Sequence, residues 1–249
     1  MDGQSLAGRR ALVTGAGGGI GGAASVALAA AGAEVTLLGR SLGPLEVVAA
    51  RIREAGGQAT VCPADVTNEK SVTDALDPLP VHDVVVNAAG GNRPQPFADI
   101  ALETFDSLFA LNVRGLFTVT QHQVRLLLAA KRPGVIVNVS SQMGHVGAPN
   151  RSVYCGTKHA VEGITKALGV ELGPHGIRVV TVAPTWIETP LTRPFFEDAA
   201  FKASVVADLP IGRIGQPEDV AAAIVFLASD GASLITGTSL LIDGGWTAR

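Results

Sequence analysis

Four short runs in this chain are apolar and β-branched with almost no polar alternation: Arg10-Ala-Leu-Val-Thr14, Asp83-Val-Val-Val-Asn87, Gly134-Val-Ile-Val-Asn-Val139 and Ile177-Arg-Val-Val-Thr-Val182. A strand with one wet face alternates apolar and polar residues, so uninterrupted runs call for cover on both faces. Three further candidate strands are Glu34–Leu38, Ala59–Cys62 and Ser239–Ile242. Between them lie longer Ala- and Leu-rich segments expected to be helical. These are Gly19–Ala31, Leu45–Ala55, a stretch after Asp65, Leu102–Ala130 with a break near Gly115, Ser152–Leu172 and Glu218–Ala228. Strand–helix alternation with doubly buried strands predicts an α/β fold: a Rossmann-like, doubly wound parallel sheet flanked by helices on both faces. No repeat, low-complexity linker or composition shift interrupts the 249 residues, so the expectation is one domain over residues 1–249.

Composition narrows the function classes. With 47% hydrophobic and 16% charged residues, the chain is not of the disordered type. A net charge of -3 offers no basic footprint, which argues against a nucleic-acid partner. The late apolar stretch Val220–Ala228 is far shorter than a membrane span, which needs about 20 residues. Arg9-Arg10 before an Ala/Gly-rich run loosely resembles an export signal, but the six glycines between Gly15 and Gly22 make a poor apolar core for one. Two cysteines, Cys62 and Cys155, suit a reducing compartment, and the expected location is cytoplasmic.

In a doubly wound sheet the ligand site lies beyond the carboxyl ends of the strands. After the first strand comes Thr14-Gly15-Ala16-Gly17-Gly18-Gly19-Ile20-Gly21. Glycines let a ligand approach the backbone, and the following helix points free N–H groups at that spot, which suits a pyrophosphate. No G-K-[ST] follows, which disfavours a P-loop nucleotidase. At the end of the second strand, where an NAD-binding unit carries Asp or Glu, stands Leu38-Gly39-Arg40. Arg40 could hold a 2′-phosphate by charge-assisted bonds, which favours NADP(H). Tyr154-Cys-Gly-Thr-Lys158 on a helix would put the phenol and the ammonium on one face, where the ammonium should lower the phenol's pKa toward the working range.

The T-G-x-x-x-G-x-G spacing, Asp65-Val66, Asn87-Ala-Ala-Gly90, Ser141 thirteen residues before Tyr154, and Tyr154-x-x-x-Lys158 together resemble the short-chain dehydrogenase/reductase family from Thr14 to Trp246. The resemblance implies that Gly15, Gly19 and Gly21 shape the dinucleotide turn. Gly17, Gly18, Ile20, Arg40, Asp65, Val66, Asn87, Ala88, Ala89, Gly90, Tyr154, Lys158, Pro184, Ile187 and Thr189 join them at the cofactor. It also implies a catalytic tetrad of Asn112, Ser141, Tyr154 and Lys158, no metal, a substrate lid around residues 190–209 and a homotetramer with the Ser152–Leu172 helix at one interface. Many NADP-using relatives carry a second basic residue in the glycine turn, where this chain has Gly18, so NAD(H) stays open. The implied chemistry is hydride transfer between a small ketone and a secondary alcohol, with Tyr154 as general acid. Asn92, Arg93, Gln142, Met143, His145 and Trp186 are candidates to line the substrate pocket because they lie near strand ends. A serine hydrolase would need G-x-S-x-G, which the Ser141 segment lacks. His159 with Glu162 reads as a helix surface pair rather than a metal site. An oxidative sugar, polyol or hydroxyacyl dehydrogenase, and a non-catalytic dinucleotide sensor, are the alternatives.

Overall fold

The computed structural model describes residues 5–248; the ends of the expected 1–249 unit, residues 1–4 and 249, lie outside it. Seven strands form one parallel sheet: β1 (Arg10–Thr14), β2 (Glu34–Gly39), β3 (Gln58–Pro63), β4 (Val84–Asn87), β5 (Gly134–Val139), β6 (Ile177–Pro184) and β7 (Ser239–Ile242). Their order is β3-β2-β1-β4-β5-β6-β7, so the winding reverses between β1 and β4. Parallel neighbours need crossovers, and eight α-helices are found among the described residues. They are α1 (Gly19–Ala30), α2 (Leu42–Glu54), α3 (Glu69–Leu76), α4 (Leu102–Phe109), α5 (Gly115–Ala129), α6 (Ser152–Leu172), α7 (Ala199–Asp208) and α8 (Pro217–Ala228).

The apolar runs now have a cause. Ala11, Val13, Val84, Val86, Val135, Val137, Val180 and Val182 pack on one face against α1, α2 and α8. Their alternates Leu12, Val85, Ile136 and Val179 pack on the other against α3, α5 and α6. Each central strand is therefore dry on both sides. The edge strands depart from this expectation: β3 alternates between exposed and half-buried positions up to Cys62, its one buried residue, and Leu240 and Leu241 of β7 are exposed. An edge strand has only one neighbour and is incompletely covered.

The expected helix break falls in the five residues before Gly115, where Ala110–Arg114 form a π-helical turn joining α4 to α5. Gly115 itself lies where the helix crosses the loop after β3, and a Cβ there would meet Val66 Cγ2 at 2.8 Å. The segment 190–209 is a 3-10 turn, Arg193–Glu197, followed by α7. Its Phe195, Phe196 and Phe201 pack edge-on around Trp186 at centroid distances of 5.4–6.1 Å.

A second close approach fixes α6 against the chain entering β7. A Cβ on Gly169 would lie 2.5 Å from Gly237 Cα. Gly237, at φ +64, donates its N–H to the Val179 carbonyl at 2.8 Å. Gly169→Ala is expected to cost about 1–3 kcal/mol by overpacking. Calorimetry should register this as a drop of about 2–4 °C in Tm per kcal/mol; an unchanged Tm would mean that α6 can shift freely.

Candidate active site

The winding reversal opens a cleft at the carboxyl ends of β1 and β4. The Thr14 hydroxyl, at the last residue of β1, accepts the N–H groups of Ala88 and Ala89 at 3.1 Å each. That ties the two strand ends together. The glycine turn then runs against them so closely that only hydrogen fits at two positions. A Cβ on Gly15, at φ +66, would stand 2.9 Å from Ala89 Cα, and one on Gly21 would stand 2.4 Å from the Gly15 carbonyl oxygen. Gly18 faces open space, and Gly19 sits beside the Thr189 side chain.

Below this turn lies a cavity of about 240 Å³ lined by Gly15, Gly17, Arg40, Val66, Ala89 and Gly90 among others. Arg40 is exposed at its rim. Two expected cofactor residues have hydrogen-bond partners within the protein. The Asp65 carboxylate accepts the N–H and hydroxyl of Thr67 at 2.9 and 2.8 Å, bonds that hold its pKa below the usual carboxylate value. Asn87 is buried and donates to Thr120 Oγ1 and Asn138 Oδ1, both at 2.9 Å, so its side chain braces the sheet against α5. Neither lines the cavity. Pro44 and Leu45 of α2 do.

Gly90 is shared with a second cavity of about 160 Å³, whose walls include Ile20, Ala88, Ser141, Tyr154, Lys158, Pro184, Ile187 and Thr189. Here α6 brings Tyr154 and Lys158 to one face, with Lys158 Nζ 5.6 Å from the centre of the Tyr154 ring. Lys158 Nζ donates to the Val139 carbonyl at 2.8 Å, at the end of β5. Burial pulls its pKa down to about 8, against an opposing pull from the Glu162 carboxylate. Tyr154 is half-buried in the cleft wall. Burial of its hydroxyl pushes its pKa up to about 12, with a hydrogen bond from Ser141 acting against that rise. The lowering expected from Lys158 is thus overturned: the ammonium is engaged at Val139 and stands off the ring, so desolvation dominates.

Ser141 caps the short turn Gln142–Gly144 and accepts the Met143 N–H at 3.2 Å. Ser140 faces the same cavity, yet its hydroxyl lies buried with no partner. Asn112 sits in the π-turn, where its Oδ1 accepts the Gly91 N–H and its Nδ2 donates to the Gly91 carbonyl, both at 2.9 Å. The same Nδ2 donates to Thr157 Oγ1 at 3.1 Å. It thereby fastens the loop after β4 to α6 beside Lys158, and the irregular turn is what lets a helical side chain reach across; such bulges often mark functional sites.

A third cavity, about 100 Å³, adjoins the second through Ser141 and Tyr154 and is lined by Asn92, Gln142, Met143 and Trp186. Two expected lining residues are absent from it. Arg93 is exposed and lines none of these cavities. His145 Nε2 turns to Ser239 Oγ at 2.9 Å and Glu162 at 3.3 Å. Glu162 in turn is no surface partner of His159: it is buried and accepts the Thr181 hydroxyl at 2.9 Å. Arg151, at the start of α6, lines the cavity and escaped sequence reasoning, because only its distance of three residues from Tyr154 could have singled it out. Thr185 and Thr192 line it too and give no signal in the sequence, being common loop residues. No cluster of metal-ligating side chains is found among the described residues.

The sequence model of a family described as enoyl-(acyl carrier protein) reductase matches residues 15–247. The chain belongs to the short-chain dehydrogenase/reductase family. Among members of that family, L-xylulose reductase of Bos taurus is 42% identical, covering 98% of this chain and 98% of its own. D-erythrulose reductase of Gallus gallus is 39% identical, with 97% of each chain covered. A crystal structure from Agrobacterium tumefaciens, of a proposed 2-deoxy-D-gluconate 3-dehydrogenase with bound NADP, has a TM-score of 0.95 at 38% identity, with 100% of both chains covered. The protein is accordingly an oxidoreductase of the CH–OH/C=O type.

The depressed Lys158 value has a sign that can be checked. Its folded-state pKa lies below the ordinary 10.5, so the buried ammonium opposes folding at pH below about 8, and that cost is relieved as pH rises from 8 toward 10.5. Glu162 holds the value up; Glu162→Gln should therefore move the Lys158 titration to lower pH. A ¹³C NMR titration of labelled lysine side chains reads this directly, and a stationary midpoint would remove Glu162 from the account.

Proposed function

We propose that this protein is an NADP(H)-dependent oxidoreductase that interconverts the ketone and secondary alcohol of a short polyhydroxylated substrate. The observation that carries the reading is a set of unpaired buried oxygens on residues that share a cavity with Tyr154. Asn92, Gln142 and Thr185 all line the third cavity, and each has a buried side-chain oxygen, Oδ1, Oε1 and Oγ1 respectively, with no hydrogen-bond partner among the described residues. Buried polar atoms are rarely left unpaired, and substrate hydroxyl groups are donors of the right kind. The relatives named for xylulose and erythrulose, both short ketoses, support the same class.

The cleft fits the dinucleotide. The turn that only hydrogen can occupy at Gly15 and Gly21 lets a pyrophosphate approach the first N–H groups of α1. Gly17, Val66, Ala89 and Gly90 would flank the adenosine half, and Ile20, Pro184, Ile187 and Thr189 the nicotinamide half. Arg40, with no carboxylate at the end of β2 to repel a phosphate, supports NADP(H), as does the NADP bound in the Agrobacterium tumefaciens neighbour. When bound, the cofactor supplies or accepts a hydride.

The side chains handle the proton. Tyr154 is fully protonated at neutral pH, so its hydroxyl can donate to a carbonyl oxygen as negative charge develops there. Ser141 donates a hydrogen bond at the same place, orienting the carbonyl and stabilising that charge. Lys158, cationic at pH below about 8, supplies positive potential behind the phenol and, by resemblance, a donor to the nicotinamide ribose. Asn112 holds the loop carrying Gly91 in register with α6.

In this reading residues 1–249 act as one unit, with the segment 190–209 as a lid whose aromatic side chains close on Trp186. The exposed Val170 on α6 and Leu240 and Leu241 on β7 support self-association, for which a homotetramer is the expected form. The two free cysteines support a reducing, cytoplasmic setting, and no described helix is long and apolar enough to cross a membrane.

Tyr154→Phe should lower turnover by about 10²–10⁴-fold, the usual worth of a general acid. A fluorescence titration with NADPH should show binding unchanged. Retained turnover would remove the proposed acid, and loss of NADPH binding would undo the cleft assignment. Arg40→Asp should shift the NADPH/NADH preference by about ten- to hundred-fold, the range of one or two charge-assisted bonds. An unchanged ratio in the two titrations would make Arg40 a bystander.

A further inference from the structure

Arg151 is the residue of the third cavity whose properties the polyol reading leaves unexplained. It lies on the same wall as Ser141 and Tyr154, one turn before the phenol at the start of α6. Its Nε is buried without a hydrogen-bond partner, and its Nη1 reaches only the carbonyl of the preceding Asn150, at 3.5 Å. No described carboxylate forms an ion pair with it; Arg178, the other arginine whose pKa burial lowers, is instead held by three backbone carbonyls, of Ile235, Leu227 and Ser229. The backbone that presents Arg151 is fixed. Asn150 adopts the left-handed conformation at φ 59, and its carbonyl accepts the Gln95 N–H at 3.1 Å.

A half-buried guanidinium with no acid partner bears a desolvation cost without the ion pair that ordinarily offsets it. Burial accordingly pulls its pKa below the usual arginine value. Asn92, Gln142 and Thr185, each with an unpaired buried side-chain oxygen, share the cavity, so residues with spare hydrogen-bonding capacity and one permanent cation line the same space as Ser141 and Tyr154. Taking the oxidoreductase reading as given, we propose that Arg151 is a specificity-determining residue that seats a carboxylate of the substrate. The substrate is then an anionic polyhydroxy compound, an aldonate or its keto acid, in preference to the neutral alditol or ketose of equal length. Planar, two-pronged donation is what a guanidinium offers a carboxylate and a hydroxymethyl group cannot use.

The test uses the full chain with saturating NADP⁺ and matched pairs that differ only at carbon one: threonate against threitol, xylonate against xylitol, gluconate against glucitol. The aldonate should be favoured at least tenfold in kcat/KM in one pair or more, through KM, and its KM alone should rise with added NaCl. Arg151→Gln should reduce that acid-to-alditol ratio by tenfold or more, with Arg151→Lys retaining more of it than Gln. Arg93→Gln makes the same change in net charge at an exposed site and should leave the ratio where it was. A preference for the alditol in every pair, a salt-independent KM, or an unaltered ratio in Arg151→Gln overturns the inference while the oxidoreductase reading stands. Should Arg151→Gln fail to bind NADPH, the ratio in Arg151→Lys and the salt dependence decide alone. Turnover of neither member of any pair by protein that binds NADPH overturns the inference and the polyol reading together.

Discussion

The close contact between the ends of β1 and β4 is the constraint on which the site depends. Two amides converge on the Thr14 hydroxyl, and one residue later the Gly15 backbone lies against Ala89 with no room for a Cβ. Winding runs outward in both directions from these strands, which is where a doubly wound sheet leaves a crevice at its carboxyl edge. Glycines let the chain turn against Ala89 there and start α1 within a few residues, without side chains filling the crevice above. Everything at the reacting centre is referred to this point. Gly90 borders both halves of the cleft, and Asn112 ties the adjacent Gly91 to α6, the helix that carries Tyr154 and Lys158.

Burial then sets the electrostatics of the reacting groups. Tyr154 and Lys158 are pushed in opposite directions by one cause, the loss of water: a phenol resists ionising and an ammonium resists staying charged. The protein meets this with fixed dipoles and one buried carboxylate. The Val139 carbonyl accepts from Lys158, and Glu162, itself held by the Thr181 hydroxyl, holds the ammonium's pKa up from the side away from the cleft. The consequence is a phenol that begins as an acid and a cation close to its titration point at neutral pH, which suits delivery of a proton to a carbonyl more than removal of one from an alcohol.

The sheet was legible in the sequence because doubly buried strands leave an unbroken apolar run, and β1, β4, β5 and β6 all carry one. The departures sit where that signal weakens: at β3 and β7, which are edges, and at α7, whose one aromatic residue, Phe201, packs on Trp186 rather than on the sheet. Within the site, residues fixed by spacing along one element were readable, as with Tyr154 and Lys158. Residues fixed by where a loop turns were not. Asn87 and Asp65 stand at strand ends as expected, but Thr120 and Asn138 turn the Asn87 side chain into the sheet, and Thr67 occupies one oxygen of Asp65. His145 is drawn off by Ser239 and Glu162, and nothing in the order of residues announces that a carboxylate on α6 would be buried there.

Arg151 and Tyr154 are coupled whatever ligand the guanidinium meets. The positive charge of Arg151 helps to hold the phenol's pKa down, although more weakly than burial holds it up. An anion seated on that guanidinium cancels part of this pull and leaves the phenol still harder to ionise. A neutral substrate leaves the pull intact. The same residue that would select a carboxylate would therefore, once the carboxylate is bound, give up part of its support for the phenolate that forms as Tyr154 releases its proton, so that selection of an anionic substrate and the strength of the acid that protonates it pull against each other at this site.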